Sequence, residues 1–260
     1  MADEGWVEKR VVIRPDPEAL AAEVAARFVG RLVRRLSAGK TAHVSLTGGG
    51  MGSAVLRAVA DHPVGAELNW SRVHFWWSDE RFVPRASDDR NERQARAALL
   101  DRLDLPPENI HAGPASDDGF GLDEAARRYA AELARFPASA EQPWPTFDVS
   151  FLGVGPDGHI ASLFPDRPEI QDTANIVLPV RESPKPPPER ITMTRKVINS
   201  SKRVWLVLAG ADKASALGLA LAGAAYDSVP AAGAKGTHRT VFFVDTAAAS
   251  HVPAELIEPQ

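Results

Sequence analysis

Short apolar runs at residues 42–47, 73–77, 147–152, 204–208 and 240–244 alternate with stretches of helical periodicity, and this alternation constrains the fold most. Each run has the length and the β-branched or aromatic content of a buried strand. Between them, residues 15–36 place Leu20, Val24, Phe28 and Leu32 on one helical face, and 53–59, 91–103, 122–136 and 213–221 also read as helices. Strands alternating with helices predict an α/β fold whose sheet is mostly parallel and covered on both faces. Two weaker strand candidates, 176–180 and 191–194, flank the proline-rich segment 183–188. That segment is too short for a domain linker and reads as a stiff surface loop. One domain over 1–260 is the expectation.

In a parallel sheet the carboxyl ends of the strands share one edge, and ligands bind there. The run 147–152 ends in a turn containing Gly153, Gly155 and Gly158, read as leading into a short helix cut off by Pro165. The turn presents Asp157 and His159, and a histidine so placed can move protons near neutral pH. Residues 153–158 match the dinucleotide fingerprint literally. However, Pro156 lacks an N–H for a pyrophosphate, and Asp157 puts negative charge where it would lie. After 42–47 come Gly48, Gly49, Gly50 and Gly52, followed by Ser53. Such a loop at a helix start can cradle phosphate, although no Lys-Ser/Thr makes it a P-loop, and the bland alternative is an unliganded tight turn. Arg81, after the 73–77 strand, can clamp an anion in bidentate fashion, unless it belongs to a solvated loop. Lys213 opens a helix after the 204–208 strand. All these signals fall on the same predicted edge.

Other chemistries are excluded or disfavoured. The chain has no cysteine, so disulfides, thiolate metal sites and a cysteine nucleophile are ruled out. A net charge of −4 argues against a general nucleic-acid or membrane-surface role. Residues 1–10 hold no apolar signal core, and the longest apolar stretch, 214–225, is too short to span a bilayer, so a cytosolic protein is expected. There is no G-x-S-x-G elbow and no H-E-x-x-H motif. The remaining histidines, His43, His62, His74, His111, His238 and His251, form no ligand pair at helical spacing and read as structural or surface residues. A reaction free of metal and cofactor, run by His159, fits best. Activity is therefore expected to survive exhaustive EDTA treatment. Loss of turnover that Mg²⁺ or Zn²⁺ restores would contradict this.

Together, TGGG at 47–50, SDERFVP at 78–84 with Asn91 after it, GVGPDGHIASLFP at 153–165, RITMT at 190–194 and GADK at 210–213 resemble the 6-phosphogluconolactonases. The blocks keep the family's order, and those around His159 and Arg81 are the specific ones. The resemblance implies a single-domain, three-layer α/β/α Rossmann-like sheet, shared with the glucosamine-6-phosphate deaminases. It also implies hydrolysis of 6-phospho-D-glucono-1,5-lactone to 6-phosphogluconate in the oxidative pentose phosphate pathway. By the same resemblance His159 is the general base, Asp157 orients the histidine or its loop, and Arg81, Arg190 and Lys213 meet phosphate or developing negative charge. Gly48, Gly49, Gly50 and Ser53 complete the substrate contacts. The implied partner is a small phosphorylated sugar lactone, with no nucleic acid, membrane, metal or cofactor. The oligomeric state stays open, a monomer included. One alternative is a glucosamine-6-phosphate deaminase, whose branch places a glutamate five residues after the histidine, where this chain has Phe164. The other is a non-enzymatic sugar-phosphate sensor.

Overall fold

The computed structural model describes residues 9–258; the N-terminal segment read above for a signal core lies almost wholly outside them, as does the side chain of His251. The chain opens with β1 (Lys9–Arg14) and α1 (Pro17–Ser37). Asp16 caps α1 by accepting from Ala19 N at 2.8 Å, and Pro17 suits its first turn. Leu20, Val24, Phe28 and Leu32 form its buried stripe. Burying each such side chain stabilises the fold by about 1.5–3 kcal/mol, which fixes the helix on the sheet.

The order continues β2 (Ala42–Leu46), α2 (Gly49–Ala60), β3 (Val73–Trp77), β4 (Asp79–Arg81), α3 (Asn91–Ala98), β5 (Ile110–His111) and α4 (Leu122–Leu133). Then come β6 (Val149–Gly153), β7 (Val177–Val180), β8 (Arg190–Met193), α5 (Arg195–Asn199), β9 (Arg203–Leu208), α6 (Ala214–Leu221) and β10 (Arg239–Asp245). Seven strands form one sheet in the order β1-β10-β9-β6-β2-β3-β5, parallel at every pairing. Successive residues feed opposite faces: Phe75, Phe151, Trp205 and Phe243 pack toward α1 and α2, while Trp76, Leu152, Leu206 and Phe242 pack with Tyr129 of α4 and Leu217 of α6. The α/β class and the two covered faces are as expected. Among the described residues no helix is long and apolar enough to cross a membrane.

Three expectations need correction. The candidates at 176–180 and 191–194 are strands, but as β7 and β8 they join β4 in a separate antiparallel sheet, ordered β4-β8-β7. The loop between them holds no helix, and a parallel return needs a longer crossover. The turn at His159 does not lead into a helix before Pro165. Gly158 has φ +83° and Ala161 φ +48°, and the chain folds back through bridges of Ile160 to Val154 and Leu163. Finally, α2 starts at Gly49 rather than at 53, so most of the expected glycine loop is a helical first turn.

β2 and β6 are neighbours at the sheet's centre. From β2 the chain moves through β3 and β5 toward one edge, and from β6 through β9 and β10 toward the other. This reversal opens a crevice beyond the carboxyl ends of β2 and β6, where open α/β sheets bind ligands.

Candidate active site

A hollow of about 200 Å³ fills that crevice. Its walls are Gly48 and Gly49 after β2, Gly153 and Gly155 at the end of β6, and the side chain of His159. Asp79 and Arg81 from β4, Asn91 at the head of α3, Arg190 from β8 and Lys213 before α6 close it.

His159 and Asp157 form a tight pair, with Nδ1 2.6 Å from Asp157 Oδ1. The carboxylate accepts from Nδ1–H, which leaves Nε2 unprotonated and able to take a proton. The imidazole is 15% exposed and packs 4.6 Å from the Phe164 ring. Burial lowers the His159 pKa from the ordinary value of 6.5; Asp157 opposes this and Lys185 adds to it. Burial alone would raise the Asp157 carboxyl, but its hydrogen bonds and charge contacts with His159, and Lys185 beyond, hold it below its usual range. The ring is thus neutral near pH 7 and oriented by an ionised partner. Gly155 makes the pair possible, since a Cβ there would lie 2.0 Å from His159 Nδ1 and 2.3 Å from Asp157 Oδ1.

Positive charge surrounds the rest. Arg81 and Arg190 stand directly opposite each other in the antiparallel pairing of β4 and β8, an arrangement that like charges destabilise unless an anion separates them. Arg81 Nη1 donates to Asp89 O at 2.6 Å, and its buried Nε has no partner among the described residues. Lys213 Nζ lies 3.2 Å from Asp212, and α2 begins beside Gly48 with its positive end toward the hollow, the Gly49 N–H donating to Gln94 Oε1 at 3.2 Å. A Cβ at Gly48 would collide with Asn91 Oδ1, at 1.8 Å, so only glycine lets the loop lie this close to α3. Glu80 behind this wall accepts from the N–H groups of Arg81, Asn91 and Glu92 at 2.7–2.9 Å, which ties β4 to α3. Burial raises its pKa to about 7 against Arg90 and those three donors.

Of the sequence candidates, Gly48, Gly49, Arg81, His159, Arg190 and Lys213 line the hollow, and Asp157 sits behind His159. Gly50 and Ser53 do not line it; both lie within α2, Ser53 in its second turn. Arg190 is 4% exposed, and most of its donors are taken: Nη2 by Lys185 O and Pro186 O, Nε by Pro187 O, and Nη1 by Ser162 Oγ at 3.4 Å. It clasps the proline-rich loop against the site. That loop delivers Lys185, which sequence reading did not single out, to 3.3 Å from His159 Nδ1 and 3.5 Å from Asp157.

The family described as glucosamine-6-phosphate isomerases/6-phosphogluconolactonase matches residues 15–243. The chain belongs to that family. Among its curated relatives, the 6-phosphogluconolactonase of Streptomyces coelicolor is 44% identical over 253 residues, covering 96% of this chain and 97% of the relative. A crystal structure of 6-phosphogluconolactonase from Thermotoga maritima superposes with a TM-score of 0.79 at 28% identity, covering 92% of this chain and all of that one. A monomeric glucosamine-6-phosphate deaminase shares the fold at TM-score 0.75 and 20% identity, over 93% and 99% of the two chains. The same Rossmann-like architecture is therefore found in a 6-phosphogluconolactonase and in a glucosamine-6-phosphate deaminase.

Proposed function

We propose that this chain, acting as one domain, is a 6-phosphogluconolactonase that hydrolyses 6-phospho-D-glucono-1,5-lactone to 6-phosphogluconate in the oxidative pentose phosphate pathway. The observation that carries the reading is a neutral His159 imidazole held by the ionised Asp157 on the wall of a hollow that also gathers Arg81, Lys185, Arg190 and Lys213. Such a site suits a phosphorylated substrate whose reaction needs one group to take up a proton and return it. The extent of similarity to curated lactonases supports the same branch.

His159 Nε2 takes a proton from water as its oxygen bonds to the lactone carbonyl carbon. The carbon–ring oxygen bond then breaks, and the imidazolium returns the proton to the ring oxygen. Asp157 stabilises the transient imidazolium. Lys213, Arg81 and the start of α2 hold the phosphate, while Arg190 keeps Lys185 and its loop in place over the site. Phe164 can neither polarise nor relay a proton, which weighs against the deaminase branch. The chain is taken to work in the cytoplasm on a small molecule, without a nucleic-acid or membrane partner.

A coupled assay that follows 6-phosphogluconate from freshly made lactone, beside ammonia release from glucosamine 6-phosphate, tests this. Lactone hydrolysis above background without ammonia is expected. Ammonia release, or neither activity, would overturn the assignment. Replacing Arg81 or Lys213 with Ala should raise KM by about ten- to a hundredfold, because each removes a charge-assisted hydrogen bond worth about 1.5–3 kcal/mol. Unchanged steady-state constants would make both residues mere surface charges.

A further inference from the structure

The opposite edge of the large sheet carries a second concentration of positive charge. In α1, Arg27, Arg31 and Arg34 share one helical face. Arg203 and Arg239 are the first residues of β9 and β10 and stand side by side in register. They point to the face of the sheet on which α1 packs, the face of Trp205 and Phe243. Together the five arginines surround a hollow of about 210 Å³. The net charge of −4 makes such a cluster a local feature and not a reflection of a basic chain.

The cluster is only partly neutralised. Arg27 pairs with Glu23 and Glu258, and Arg239 approaches Glu258 at 3.7 Å. Among the described residues Arg31, Arg34 and Arg203 form no ion pair, and the buried Nε of Arg203 has no hydrogen-bond partner. The nearby Asp148 is taken by Lys202 at 2.8 Å and Arg35 at 3.3 Å. Burial, followed by the surrounding arginines, lowers the Arg31 pKa; for Arg203, burial and neighbouring arginines outweigh Asp148 in the same direction. Like charges held this closely are unfavourable unless an anion joins them. Guanidinium groups bind phosphate oxygens in bidentate fashion, and Trp205 and Phe243 line the hollow beneath them.

We propose that this arginine-lined hollow is a binding site for a diphosphate-type anion, separate from the active site. Three unmatched guanidinium groups exceed the charge of about −1.5 to −2 on one phosphate monoester, and a diphosphate comes closer to balancing them. Arg203 begins the strand whose other end leads to Lys213, and a strand of this length spans roughly 17–20 Å. That separation exceeds the screening length of about 8 Å at 0.15 M salt, so direct repulsion between anions in the two sites is weak.

Calorimetric titration of inorganic pyrophosphate and of ADP, at about 0.15 M salt so that long-range attraction is screened, tests the proposal. The proteins compared are the wild type, Arg31→Ala, Arg203→Ala and Lys213→Ala. A binding event is expected that survives Lys213→Ala and weakens by at least about tenfold in Arg31→Ala and Arg203→Ala, whose lactone turnover is unchanged. Tighter ADP binding assigns the source as a nucleoside diphosphate; equal or tighter pyrophosphate binding assigns the diphosphate group alone. Arg31→Gln and an unfolding midpoint guard against a folding defect, which removal of a repelled charge should not cause. No event, an event lost in Lys213→Ala but kept in the other two, or equal weakening in all three would overturn the proposal.

Discussion

His159→Asn is expected to lower turnover by at least about a hundredfold while the chain folds normally and still binds 6-phosphogluconate. A positioned general base contributes typically about 10²–10⁴-fold. The lactone is intrinsically reactive, so this one contribution covers much of the acceleration required. Asparagine keeps a hydrogen-bonding group of similar size next to Asp157 but cannot accept and return a proton. Because the ring contacts Phe164, a purely structural His159 would instead show a lower unfolding midpoint with turnover retained. Kinetic and thermal measurements on the same preparation separate these outcomes. Background hydrolysis must be subtracted, since it rises with pH and would mask the defect. Near-normal net turnover in a folded variant would transfer the search to Asp79 and Asp157.

Gly155→Ala should cost about as much, without touching the reacting groups chemically. The added methyl would sit 2.0 Å from His159 Nδ1, so imidazole and carboxylate must separate or swing aside. Displacing a catalytic group by about 1 Å can cost roughly a hundredfold in rate. The neighbours that must give are side-chain tips, so the loss should appear in kcat with little change in the unfolding midpoint. A large loss of stability with normal kcat in the remaining folded protein would mean that the pair does not depend on this close approach.

What could be read from sequence follows from what each segment buries. β3, β6, β9 and β10 are covered on both faces, so they appear as largely apolar runs, and α1 shows both its cap and its stripe. β5 has two residues and β1 reads KRVVIR, too short or too charged to stand out before its partner β10 is known. β4 is Asp-Glu-Arg, and only its backbone pairing with β8 makes it a strand. The turn around His159 was legible as a site because of its glycines and its Asp-His pair. Those glycines and prolines also mimicked a helix start, while positive φ at Gly158 and Ala161 sends the chain back on itself. Lys185 was hidden because its position depends on Arg190 clasping three loop carbonyls, a contact that no local pattern encodes.

The pH dependence of kcat/KM, compared between wild type and His159→Asn over about pH 5–8, tests the proton-transfer role most directly. In the free enzyme His159 must be neutral to accept a proton, and its pKa is lowered from 6.5. The wild-type profile should therefore be flat near neutrality and fall about tenfold per pH unit below a single acid limb lying under pH 6.5. The variant, once background is removed, should show low activity and no such limb. The same acid limb in both proteins would contradict His159 as the base.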